Sequence, residues 1–182
     1  MTQKSLLWID FVPVTFVSIL FISQIIVGIY LLSDVSQIAT LAYVGAGLYV
    51  FSGIVFGWLP VIEFRRRGRV RKGRSYIHTT RLVDTGIYSI VRHPQYVTFI
   101  LWAIAGILLF QHWMIVVLGI PIVPLTYIDL TKADKDAIEK FGDDYEAYMK
   151  KVPRANFLLG IIKLMQRRKK EKSKTAPEKI SI

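Results

Sequence analysis

The chain has 182 residues, 53% of them hydrophobic, and a mean hydropathy of +0.41. That is the length of one domain with far more apolar sequence than a soluble core of this size takes up. The absence of cysteine excludes disulfides, thiolate metal centres and cysteine-nucleophile chemistry, while the formal charge of +11 leaves nucleic acid and anionic membrane as candidate partners.

Residues 6–32 form a first apolar run, interrupted mainly by Asp10, Pro13 and Gln24, and residues 38–62 form a second with no charge at all. Each exceeds the roughly 20 residues needed to span a bilayer. The first run is too long for a typical signal-peptide core and lacks a small-residue cleavage site, so it is expected to be a retained anchor. Asp10 lies near the end of its span, where interfacial solvation accounts for it, whereas Gln24 lies inside the apolar run. Gly53 and Gly57 make a GxxxG pattern, a device for close helix packing. A basic segment follows at 63–95. Residues 96–110 and 113–128 are then predicted to form a helical hairpin turning at Gln111-His112, with kinks at Pro121 and Pro124. Both apolar arms are shorter than the hydrocarbon layer at about 1.5 Å per residue, so the hairpin is expected to extend into flanking residues or thin the bilayer locally. After the block FGDDYEAYMKKVPR, residues 141–154, a surface helix is predicted over 157–165, and the last ten residues are predicted to be disordered.

The charge is unevenly placed. Residues 63–95 hold nine Lys or Arg against two acids and residues 131–182 hold fourteen against eight, while the connections at 33–37 and 111–112 hold none. The positive-inside rule therefore predicts an all-α, four-span membrane protein with both termini and the 63–95 segment in the cytoplasm. The basic runs at 65–74 and 167–172 each adjoin an apolar or amphipathic segment, which favours topology and lipid contact over nucleic acid. The chain is expected to be a single membrane domain, residues 1–62 its two-helix N-terminal part and 63–156 its core, with 157–182 a basic C-terminal tail.

The densest polar patch, RLVDTGIYSIVRHPQY at 81–96, ends where an apolar span begins. Gly86 marks a turn, Tyr88 follows, and Arg92-His93-Pro94 reads as a helix start because proline fits the first turn. His78 lies in a basic loop and His112 at the hairpin turn, and both are explained as solvated polar residues. Tyr145 and Tyr148 fall on one face of a helix, with Phe141 one turn earlier in a packing role.

The series Leu82, Val83, Gly86, Tyr88, His93, Pro94, Tyr96, together with the block from Phe141 to Arg154, resembles the integral-membrane isoprenylcysteine carboxyl methyltransferase and phospholipid methyltransferase group. The resemblance covers roughly residues 74–154. It implies S-adenosylmethionine as cofactor and a lipid or lipidated substrate entering from the membrane. It also implies cofactor contacts from Arg81, Leu82, Val83, Gly86, Tyr88, His93, Pro94, Gln95, Tyr96, Tyr145 and Tyr148. Thr80 and Arg81 depart from the family's side chains, so their contacts would be made by backbone or be absent. No metal site is expected. Asp129 and Ala133 stand where the family's carboxyl methyltransferases keep an arginine for substrate and a glutamate for cofactor. Arg92, Asp129 and Asp134 are thus the candidate catalytic residues, Asp129 or Asp134 substituting for the missing acid. An aspartate at that place predicts an amine or cationic acceptor rather than a prenylated carboxylate. Membrane reductases of the sterol reductase type share the arginine-histidine-proline-x-tyrosine element and form one rival reading, although they have more spans. A non-catalytic adaptor docking through its basic tails is the other.

Overall fold

A computed structural model describes residues 12–31, 38–68 and 80–175. Asp10, His78 and the end of the C-terminal tail lie outside the described residues. Among those residues the fold is all-helical, with no strand. Helix α1 spans Val12–Tyr30. Helix α2 (Ala39–Ser52) runs through a π-helical turn (Gly53–Trp58) into α3 (Leu59–Arg67), making one continuous 29-residue rod. A 3-10 turn (Gly86–Ser89) precedes α4 (Pro94–Phe110), followed by α5 (Trp113–Gly119), α6 (Ile122–Phe141), α7 (Asp143–Lys151) and α8 (Phe157–Thr175).

Two rods, Ala39–Arg67 and Trp113–Phe141, are long and apolar enough to cross a membrane, and only 17% and 33% of their apolar windows are buried within the protein. A soluble core helix of that hydropathy would be mostly covered. Here Phe51, Ile54, Trp58, Trp113, Val117 and Ile120 point outward, the arrangement lipid stabilises. The helices of residues 15–30 and 94–110 are apolar but shorter.

The interior is narrow. Val17, Ala103 and Ile122 join α1, α4 and α6, with Leu20, Phe21, Phe99 and Leu125 packed around them. Phe21, Trp102 and Tyr49 stack with centroid separations of 5.2 and 4.7 Å, and the Trp102 indole N–H donates to the Tyr49 carbonyl at 3.0 Å. Gln24, read from sequence as an intramembrane polar group, is a structural tie: its amide donates to the carbonyls of Ala103 at 3.3 Å and Ile115 at 3.1 Å. Gly53 and Gly57 face Trp102 and Thr98 of α4, which is the packing role the GxxxG pattern suggested.

Gly45 brings α2 still closer to α4. A Cβ there would lie 2.7 Å from the Leu109 nitrogen and 2.8 Å from the Ala105 carbonyl oxygen. Those are backbone atoms that cannot turn aside, so Gly45→Ala is expected to cost about 1–3 kcal/mol by forcing the two helices apart. Unfolding in mixed detergent checks this, and a loss below about 0.5 kcal/mol contradicts the packing.

The second hairpin arm extends past its apolar core, continuing as α6 to Phe141, because the polar stretch after the apolar run is still rich in helix-forming Ala, Lys and Glu. Three expectations need correction. Pro121 does break this rod, between α5 and α6, whereas Pro124 sits in the first turn of α6, where the missing N–H has no partner to lose. Phe141 is not on the helix of the two tyrosines, since Gly142, at φ +55°, ends α6 and starts α7. The surface helix predicted over 157–165 extends to Thr175, taking in the basic run and the first residues of the tail predicted to be disordered.

Candidate functional site

The polar patch at 81–96 folds onto α3, α6 and α7. Gly86 adopts φ +59°, and a Cβ would lie 2.7 Å from the Glu63 carboxylate, so only glycine lets the turn sit on α3. Glu63 also accepts from the Thr85 hydroxyl at 3.2 Å and pairs with Arg67 at 2.8 Å. Tyr88 is buried and stacks on Phe64 at 4.5 Å between centroids.

His93 caps α4 and Pro94 occupies its first turn, as the helix-start reading expected. The His93 ring does not cap the helix, however; it turns to Asp134. Asp134, 3% exposed, is the centre of the site. Its Oδ1 faces His93 Nε2 at 2.7 Å and accepts from Arg92 Nη1 at 3.0 Å and from the Tyr145 hydroxyl at 2.7 Å. Its Oδ2 accepts from Arg154 Nε at 2.6 Å. The Tyr145 hydroxyl also lies 3.3 Å from His93 Nε2. Two guanidiniums thus surround one carboxylate, so the cluster carries a net positive charge. Arg154 remains 26% exposed on its side chain and also lies over the Tyr127 ring.

Backbone joins the same two segments. The amides of Arg92 and His93 donate to the carbonyls of Pro153 and Arg154 at 3.1 and 3.2 Å. The Tyr148 hydroxyl donates to the Tyr88 carbonyl at 2.6 Å. Tyr145, Tyr148 and Val152 form a buried cluster with Leu82, Ala137, Ile138 and Phe141 around it. Burial, then the hydrogen bond to Asp134, raises the Tyr145 hydroxyl well above the ordinary tyrosine value. Burial likewise raises Tyr148, with Tyr145 and Tyr88 beside it. Both therefore act as hydrogen-bond donors at neutral pH.

Arg92, His93, Asp134 and Tyr145 are thus brought together in one network, Tyr88 and Tyr148 in a second, and Tyr96 lies edge-on to His93 at 5.8 Å. Gln95 lies in the first turn of α4. A cleft of about 340 Å³ is lined by Arg66, Arg67, Arg81, Leu82, Val83, Asp84 and Thr85, so that of the residues expected at the cofactor Arg81, Leu82 and Val83 line it. Leu82 belongs to both the cleft and the tyrosine cluster. Asp129 stands apart from the Asp134 network and is buried, 7% exposed. Sequence reasoning passed over Arg154 and Glu63 as site residues. Arg154 closes the second signature block, and Glu63 is one of only two acids in a strongly basic segment, a signal that an acid is held there for a purpose. Among the described residues no cluster of His, Asp and Glu has the spacing of a metal centre.

Residues 72–138, which include the patch and the whole of α4 and α5, match the model of the isoprenylcysteine carboxyl methyltransferase (ICMT) family. The match is to the isoprenylcysteine carboxyl methyltransferases. The chain is also 31% identical over 114 residues to the protein-S-isoprenylcysteine O-methyltransferase of Schizosaccharomyces pombe, covering 57% of this chain. It spans about half, 48%, of that relative's length. No solved structure gives a significant match. The resemblance to the isoprenylcysteine carboxyl methyltransferase family read from the two motifs is borne out.

Proposed function

We propose that the chain is a membrane methyltransferase that carries a methyl group from S-adenosylmethionine to a lipidated acceptor, with a prenylcysteine-like carboxylate as the first candidate. The observation that carries this reading is the Asp134 network, which draws His93 of the first signature block and Tyr145 of the second onto one carboxylate within a family match.

The residues present fit the cofactor. The cleft lies at the small end of ligand pockets. Its arginines suit the cofactor carboxylate, Asp84 suits an amine or hydroxyl, and Leu82 and Val83 suit the adenine. Asp134 and Tyr145 both lie at His93 Nε2, leaving Nδ1 as the ring atom for a ligand. Bound there, S-adenosylmethionine supplies an electrophilic methyl group on a sulfonium. The chain's part is positioning and water exclusion, which for a displacement of this kind supply most of the acceleration. Asp134, fully engaged by four donors, acts as a positioning residue for His93 and Tyr145. Arg92 orients Asp134.

The net positive charge of the cluster, with Arg154 partly exposed, supports a carboxylate acceptor, and such an acceptor needs no general base. The second reading, an amine headgroup, rests on Asp129, a buried carboxylate able to attract an ammonium and take its proton. We further propose four spans, with both termini and the cleft on the cytoplasmic side, where the lysines and arginines concentrate.

Methyl transfer from labelled S-adenosylmethionine to farnesylated cysteine and to phosphatidylethanolamine separates the readings. The wild type is expected to methylate the cysteine carboxylate, and Asp129→Asn to raise kcat/KM for it by about five- to tenfold through loss of one repelling charge. Transfer to the amine alone, abolished by Asp129→Asn, selects the second reading. Transfer to neither contradicts both.

A further inference from the structure

Helix α8 has two faces, and the protein uses one of them. Phe157 packs against Phe56 at 5.2 Å between ring centroids. Gly160 presses so closely on the Ile90 carbonyl that no side chain fits. Arg167 Nη2 donates to the Ser89 carbonyl at 2.7 Å. These residues seat the helix on the loop that carries Tyr88. The other face presents Leu158, Leu159, Ile161, Ile162 and Met165, all exposed. Immediately beyond come Arg168, Lys169, Lys170 and Lys172, also exposed, with Glu171 as the acid among them.

The geometry points to α8 as a docking helix for an anionic phospholipid surface, its apolar face at the acyl boundary and its cations among the phosphates. An apolar face continued by a run of Lys and Arg is the chemistry that such a surface binds. A second copy of the chain is a poorer occupant, because pairing two α8 helices would bring two basic runs together. An acidic protein would satisfy the cations but leaves the choice of five aliphatic residues on one face without a reason. Phe56, on which Phe157 packs, lies within Ala39–Arg67, one of the two rods long and apolar enough to cross a membrane. Through Arg167 and Gly160, docking would hold the Tyr88 turn near the membrane surface. The inference does not depend on the methyl-transfer reading.

The cysteine-free chain allows a clean test. Met165→Cys is labelled with an environment-sensitive fluorophore and the full chain is placed in nanodiscs of phosphatidylcholine, with or without phosphatidylserine, containing spin-labelled lipid. Lipid quenching of the probe is expected to be roughly threefold stronger in the anionic discs. It is expected to fall back to the neutral value when Lys169, Lys170 and Lys172 are changed to Glu. Equal and weak quenching in both bilayers overturns the proposal. So does shielding of the probe that appears only when two chains share a disc, which identifies a second copy as the occupant.

Discussion

Asp134→Ala is expected to remove about 3–5 kcal/mol of stability, the cost of leaving a buried charge without its partner. Arg92 is 9% exposed, its Nε lacks a hydrogen-bond partner among the described residues, and its Nη1 donates to Asp134 at 3.0 Å. The same substitution frees Arg154, His93 and the Tyr145 hydroxyl. Asp134→Asn keeps the shape and part of the hydrogen bonding, and is expected to fall between wild type and alanine. Arg92→Met in the Asp134→Ala background should recover part of the loss, since the stranded charge is then gone. Equilibrium unfolding in mixed detergent measures all three. A loss below about 1 kcal/mol for Asp134→Ala would show that the network is not what joins the two signature blocks.

His93→Ala is expected to weaken S-adenosylhomocysteine binding by about 1–3 kcal/mol, or roughly five- to 150-fold. The ring stands between Asp134 and Tyr145 at Nε2 and reaches Tyr96 with its edge, so its loss slackens the groups around it and, on the proposed reading, removes the Nδ1 contact to the cofactor. Tyr145→Phe serves as the comparison: it breaks the hydrogen bonds to Asp134 and His93 but keeps the ring in its buried cluster. A smaller loss of affinity is expected for it. Unchanged affinity in folded His93→Ala protein removes His93 from the cofactor site.

Much of the site was legible because its parts obey local rules. Proline after His93 starts a helix, Gly86 supplies a left-handed turn, and Tyr145 and Tyr148 three apart share a face. Gly142 also carried its signal as a helix-ending glycine, and overlooking it placed Phe141 on the wrong helix. The end of α6 was not legible in hydropathy, because loss of hydropathy marks where a helix leaves lipid, not where it stops. The role of Asp134 was legible only as a spare acid. Its partners lie 42, 41, 11 and 20 residues away, and the pairing that aligns them is between the backbones of 92–93 and 153–154, to which side-chain patterns give no clue. The rod's π-helical turn at Gly53–Trp58 likewise follows from packing on α4 rather than from any residue preference.

The reading as a methyltransferase requires first that the chain bind its cofactor. Isothermal titration of the detergent-purified protein with S-adenosylhomocysteine, with a reduced dinucleotide as comparator, tests this directly. The account predicts saturable, single-site binding of S-adenosylhomocysteine that is weakened in His93→Ala, and no binding of the dinucleotide. Binding of the dinucleotide instead would favour the reductase reading, and binding of neither ligand to the folded chain would contradict the assignment of this site.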